Sequence, residues 1–198
     1  FVEPGTLSPY EGAWVGSGFI VSETGLVVTN NHVVTGADSL EVFLGGDQST
    51  SVKGNVVGAS ECLDLAVIQL EKDTYPYLDW YEGEIKPGLD VYSAGYPVGA
   101  VQEFTRTKGI VSKDGFAFDT EWASLDEVIE HDARIRGGNS GGPLVDGKGR
   151  VVGVNYAGDN MLDYNYAIHR DVVLEALDEL SDGEEVQSIG ENAEGWGS

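Results

Sequence analysis

Gly137-Gly138-Asn139-Ser140-Gly141-Gly142-Pro143 is the stretch on which the reading of this chain turns. Glycines on both sides of one serine permit backbone angles and close approaches that other residues resist. Consecutive backbone N–H groups can then converge on one point, as an oxyanion hole requires when a tetrahedral intermediate gathers negative charge. Gly138 and Ser140 are the natural donors. Taken alone, the segment reads equally well as a glycine-rich hairpin loop with an incidental serine.

Two upstream residues tip that balance. Thr29-Asn30-Asn31-His32-Val33-Val34 sets a histidine directly after an apolar strand, and histidine is the side chain whose ordinary pKa suits a base near neutrality. Asp64 sits between Leu63 and Leu65, at the start of Leu65-Ala66-Val67-Ile68-Gln69-Leu70. A carboxylate beside a buried strand needs a partner to offset its desolvation, and the Nδ1–H of His32 would supply one. Asp64 follows His32 by 32 residues and Ser140 follows Asp64 by 76. His, Asp, Ser is the chain order of chymotrypsin-type triads, whereas α/β-hydrolases and subtilisins use other orders.

The surrounding pattern is all-β. Alternation and β-branched runs predict strands at 17–21, 26–29, 40–44, 52–57, 65–70, 90–94, 105–111, 128–131, 143–145, 151–156 and 165–168. Eleven short strands with 28 glycines between them point to a sandwich or barrels. Asp79, Glu82, Gly83, Glu84 and Pro87 break the chain near its midpoint, giving lobes at about 14–78 and 88–170. Val173, Ala176, Leu177 and Leu180 then share one helical face, so a C-terminal helix is expected over 171–182. Residues 1–183 form the expected domain; 184–198 read as a flexible acidic tail in which Trp196 alone could dock.

These motifs resemble the trypsin-like serine proteases of the HtrA/Deg type. The matching residues are Gly16-Ser17-Gly18-Phe19-Ile20, Thr29 to Val34, Asp64-Leu65-Ala66-Val67, Gly138 to Leu144, Gly153-Val154-Asn155 and Tyr166-Ala167-Ile168. The resemblance implies two six-stranded antiparallel β-barrels, with His32 and Asp64 from the first and Ser140 from the second. It further implies a serine endopeptidase acting on unfolded polypeptides, with no metal or organic cofactor, outside the cytoplasm in the extracellular space or the cell envelope. The rival reading is an inactive or resting protease fold that binds polypeptides without cutting them. Relatives often trimerise through N-terminal segments, and Phe1, Leu7, Tyr10 and Trp14 offer apolar surface for a homotrimer. A PDZ-like module finds no room in 198 residues, so the cage assembly of larger relatives is not carried over.

One departure concerns the oxyanion segment: many relatives carry Asn-Pro where this chain has Arg136 and Gly137, and the extra glycine predicts a loop that is mobile without substrate. For the specificity pocket the resemblance points to Arg134, Ile135, Asn155, Ala157, Gly158 and Asp159. Ile135 suggests a small or medium aliphatic P1 residue. Arg134 either attracts an acidic P1 side chain or pairs with a surface carboxylate, the second being favoured.

Charge narrows the partners. With 34 acidic and 11 basic residues the net charge is −23, which opposes binding to a phosphate backbone and excludes a nucleic-acid partner. Such self-repulsion suits either a chain that works in high salt or an ordinary acidic secreted protein. No apolar run approaches the roughly 20 residues of a membrane span. Cys62, the single cysteine, cannot form an intramolecular disulfide and reads as a small buried hydrophobe. The carboxylates between Asp114 and Glu130 read as a solvated loop, with an acidic loop holding Ca²⁺ as the alternative, and His131 and His169 as structural residues. The start at Phe1, with neither methionine nor a leader, suggests a mature or trimmed chain.

Overall fold

The computed structural model describes residues 15–46, 49–71, 73–97, 103–119, 124–159 and 164–183; Trp196, the remainder of 184–198 and the trimer-forming residues expected in 1–14 lie outside them. β5 (Leu65–Leu70) explains why two lobes form. Its alternate side chains point to opposite faces, and both faces are apolar. Ala66, Ile68 and Leu70 join Val27, Val34 and Tyr75 in the core of the first lobe. Leu65 and Val67 instead meet Leu125, Val128, Val154 and Ile168 in a cluster between the lobes. Each such fully buried aliphatic side chain stabilises the fold by about 1.5–3 kcal/mol.

In the first lobe β5 pairs with β2 (Leu26–Thr29) and β4 (Ser51–Ser60), while β1 (Phe19–Ile20) and β3 (Leu40–Phe43) form the edges, in the order β1-β2-β5-β4-β3. The resemblance implied six strands here; among the described residues there are five. Both free edges line one apolar groove of about 490 Å³ with Val27, Val34 and Ile68. The second lobe does close, in the order β10-β11-β8-β7-β6-β9. Its strands are β6 (Asp90–Gly95), β7 (Thr105–Asp119), β8 (Ser124–His131), β9 (Pro143–Val145), β10 (Val151–Asp159) and β11 (Tyr164–His169). Val91, Val111, Ile129, Leu144, Val152 and Ala167 fill it.

The midpoint break is a strap between lobes. Leu78 N donates to Ile20 O at 2.9 Å, and Tyr81 N to Val151 O at 2.9 Å, while Trp80 meets the Phe19 ring edge-on at 6.0 Å. Helix α2 (Arg170–Ser181) seals the back of both lobes through Val173, Ala176 and Leu180. A methyl group on Gly58 would collide with the Leu180 backbone. His169 caps this helix, its ring accepting from Asp171 N at 3.1 Å.

Two expectations are corrected. The acidic stretch from Asp114 is strand rather than loop: β7 and β8 form a long hairpin because Phe116 packs edge-on against Tyr166 at 6.2 Å while Leu125 and Val128 are buried. Cys62 is exposed rather than buried, since it lies in the turn before β5 and not in the strand.

Candidate active site

His32 lies on α1 (Asn31–Val34), a single turn at the end of β2. The Asp64 carboxylate reaches it twice, with Oδ2 2.6 Å from His32 Nδ1 and Oδ1 accepting from His32 N at 2.8 Å. Asp64 is only 1% exposed and has φ +47°, a left-handed conformation that costs a non-glycine residue about 1–3 kcal/mol. Its backbone is held there on both sides: its carbonyl accepts from Asn31 N at 3.1 Å and Asn30 Nδ2 at 2.9 Å, and its N–H donates to Glu61 O at 3.2 Å. With the Nδ1 proton bound to the carboxylate, a neutral His32 ring carries its lone pair on Nε2. The ring is 36% exposed and thus accessible.

Across the cleft, Asn139 N donates to Arg136 O at 2.9 Å and Gly138 has φ +96°. A turn with a positive φ at its third residue favours glycine there. Gly141 requires glycine for two reasons, a φ of +82° and a missing Cβ that would strike Thr29 Oγ1 and Ser17 O. Asn155 braces this loop: its carbonyl accepts from Gly141 N at 2.8 Å and its Nδ2 donates to Pro143 O at 3.1 Å. Fully buried, Asn155 braces the loop beneath Ser140, its side chain turned inward to the Pro143 carbonyl.

Ser17 ties the two halves together. Its N–H donates to Ser140 O at 2.9 Å and its hydroxyl to Gly138 O at 2.7 Å. The same hydroxyl accepts from Tyr96 N at 2.9 Å, and Ser17 O accepts from Thr29 Oγ1 at 2.7 Å. The Gly138 carbonyl is thus tied to the first lobe at the point where Gly137 adds backbone freedom. Neither the Gly138 nor the Ser140 amide donates to an internal acceptor among the described residues, leaving both for a substrate oxygen. Ser17 belongs to the matched Gly16-Ser17-Gly18 motif, yet nothing in one sequence marks its hydroxyl as the tether, since its partner is 121 residues away.

The Ser140 hydroxyl rests on the carbonyl of Tyr156, at 3.5 Å, and not on His32. Contacts between a nucleophile and its base tighten in the complex with substrate.

The specificity wall is assembled in part. Ile135 is buried, and its N–H donates to Asn165 Oδ1 at 3.2 Å. A methyl on Gly158 would lie 2.9 Å from Ile135 Cγ1 and 3.0 Å from Asn165 Oδ1, so these three close in on one another. Asn165 escaped the sequence reading, although a polar residue opening the apolar run Tyr166-Ala167-Ile168 was a signal. Ala157 and Asp159 contribute backbone to β10, opposite Tyr166 and Tyr164. Arg134 is exposed, its carbonyl accepting from Thr107 Oγ1 at 2.6 Å. Among the described residues no carboxylate meets its guanidinium.

His131 is fully buried between Val111 and Asn165. Burial pushes its pKa down to about 4, against the weaker opposing pull of Asp132. Asp132 itself accepts from Ile110 N at 2.6 Å. Among the described residues no three His, Cys, Asp or Glu side chains converge as metal ligands.

Comparison with known proteins settles the relationship. A family model described as a trypsin-like peptidase domain matches residues 16–154. The chain belongs to the trypsin-like peptidase family. This peptidase chain is 39% identical over 179 residues to a protein of Hahella chejuensis named as a DegP-like periplasmic serine endoprotease, spanning 88% of this chain and 37% of that protein. It is 35% identical over 147 residues to a Do-like HtrA serine protease of Lactobacillus helveticus, spanning 71% of this chain and 35% of that one. Among solved structures it resembles an HtrA-type protease, AlgW with decapeptide, at TM-score 0.78 and 31% identity, covering 87% of this chain and 53% of that one. A serine endoprotease from Yersinia pestis matches at TM-score 0.73 and 27% identity, over 84% and 57% of the two chains. This chain thus spans little more than a third of the length of those curated relatives.

Proposed function

We propose that this chain is a serine endopeptidase domain that hydrolyses peptide bonds in unfolded or partly folded polypeptides. The observation that carries the reading is the coupled pair His32–Asp64, at 2.6 and 2.8 Å, standing with a nucleophile whose loop offers two uncommitted amides. In the mechanism the Ser140 hydroxyl turns from the Tyr156 carbonyl toward His32, whose Nε2 takes its proton as Oγ attacks the peptide carbonyl. The carbonyl oxygen becomes an oxyanion held by the amides of Gly138 and Ser140. Asp64 holds the ring in the required tautomer and stabilises the imidazolium. His32 then gives the proton to the leaving amine, and a water activated by the same ring hydrolyses the acyl-enzyme.

One observation favours the rival reading of a resting polypeptide-binding module: Ser140 Oγ contacts Tyr156 O at 3.5 Å and not the imidazole. Labelling with a fluorophosphonate probe, with Ser140→Ala as control, separates the two. The peptidase reading expects labelling of wild type alone and cleavage of unfolded casein; a folded wild type that takes no label supports the rival.

Three finer readings accompany this proposal. The names of the DegP-like relatives support a periplasmic or cell-envelope location. The net charge of −23 supports work at high salt, in which case the melting temperature rises between low and molar salt. A homotrimer through residues 1–14 is read by sedimentation, and a monomer at high concentration in high salt rejects it.

A further inference from the structure

Arg134 and Arg136 differ from the other three arginines of the chain in that, among the described residues, their guanidinium groups meet no partner. Arg150 is bound by Asp146 at 2.6 and 3.0 Å. Arg170 bonds Asp171 and the carbonyls of Tyr81 and Gly83. Arg106 stacks over the Tyr92 ring at 5.0 Å. In a chain with 34 carboxylates, an exposed arginine ordinarily finds one. Asp132, the acid nearest in sequence, has an oxygen committed to Ile110 N.

Their position gives this unpaired charge a use. Residues 134–136 alternate exposed, buried, exposed, so the arginines stand on the outer side of a wall whose inner side is Ile135. Arg136 opens the turn whose last residue, Asn139, adjoins Ser140. The Cα atoms at the ends of such a turn lie within about 7 Å, which puts a long arginine side chain within reach of residues flanking a bond at Ser140. The inner pocket is closed down by Ile135, Gly158 and Asn165, so the charge serves neighbours of the P1 residue and not P1 itself. Around it the protein carries a net charge of −23 and repels acidic chains at a distance.

Resting on the peptidase reading above, we propose that Arg134 and Arg136 form a clamp for acidic side chains flanking the scissile residue, and that the substrates are acidic polypeptides cut after a small residue. Complementary local charge gives selectivity of this kind more than raw affinity.

The test uses three internally quenched peptides with valine at P1, flanked by glutamates, glutamines or lysines, at low and molar salt. Wild type should cleave the acidic peptide with kcat/KM about fivefold or more above the neutral one at low salt, the size of one or two exposed ion pairs. The gap should narrow in molar salt, where screening acts within about 3 Å. Arg134→Gln with Arg136→Gln should abolish the ratio, and Arg134→Glu with Arg136→Glu should invert it toward the lysine peptide. Equal cleavage of the three peptides by wild type at low salt, or preference for lysine, overturns the clamp while leaving the peptidase reading intact. Failure to cleave any peptide, with no fluorophosphonate label, instead counts against the peptidase reading. Binding of the same peptides to Ser140→Ala then still reads the preference, and equal binding overturns the clamp.

Discussion

The two lobes prepare their halves of the chemistry differently. The first is an open five-stranded sheet among the described residues, yet its acid–base pair is finished: Asp64 is buried, locked in a left-handed conformation and bonded twice to His32. The second is a closed barrel whose proposed nucleophile is unfinished, the Ser140 hydroxyl resting on the Tyr156 carbonyl at 3.5 Å. Sheet closure is therefore not what orders a site. Short hydrogen bonds to buried groups order it, and in the second lobe those bonds tie the oxyanion turn while leaving Ser140 Oγ one rotation from work. Ser17 reaches from the first lobe to supply two of them.

The contrast breaks most violently at the finished pair. Asp64→Asn keeps the fold but presents the wrong tautomer of His32, and kcat should fall about 10⁴-fold; steady-state kinetics on a peptide substrate, with circular dichroism as the folding control, reads this. Ser17→Ala frees the Gly138 carbonyl and should lower kcat by about 10- to 100-fold, less than outright removal of an oxyanion donor, with KM changed little. An equal loss in KM instead would mean that Ser17 shapes binding and not the turn.

A third prediction concerns stability in the closed barrel. His131 has a folded pKa of about 4, below its ordinary 6.5, so the unfolded chain takes up a proton at a pH where the folded one does not. The stability this residue confers is intact above pH 6.5 and is lost as pH falls toward 4, at up to about 1.4 kcal/mol per pH unit. Urea unfolding at pH 7 and pH 5 should show a smaller loss for His131→Leu than for wild type; the same loss in both would contradict it. The smallest effect is at the wall: Ile135→Ala should relax the pocket and shift preference from valine toward leucine at P1 by about tenfold, read by paired kcat/KM values.

Much of this was legible in the sequence. Strands 26–29, 65–70 and 143–145 coincide with β2, β5 and β9 because their runs are apolar and bounded by turn residues. His32, Asp64 and Ser140 stood out because each breaks or follows a strongly patterned segment. Other features depend on contacts between distant residues, which local patterns do not carry. Asn155 reads as a wall residue, and the bond of its amide to Pro143 O is not written in the local pattern. The hairpin of β7 and β8 hid behind its carboxylates, since an antiparallel strand with one wet face tolerates them. The tether on Gly138 was illegible because a glycine pair signals freedom, whereas the serine that ties it lies in the other lobe.

The most direct test of that tether is amide hydrogen exchange at Asn139 and Gly141, in wild type and in Ser17→Ala. Asn139 N–H closes the oxyanion turn onto Arg136, and Gly141 N–H bonds Asn155 within the second lobe. Both amides should be protected in wild type, and Ser17→Ala should release Asn139 while leaving Gly141 slow. Free-peptide exchange at Asn139 in wild type, or unchanged protection there in Ser17→Ala, would contradict a turn held from across the cleft.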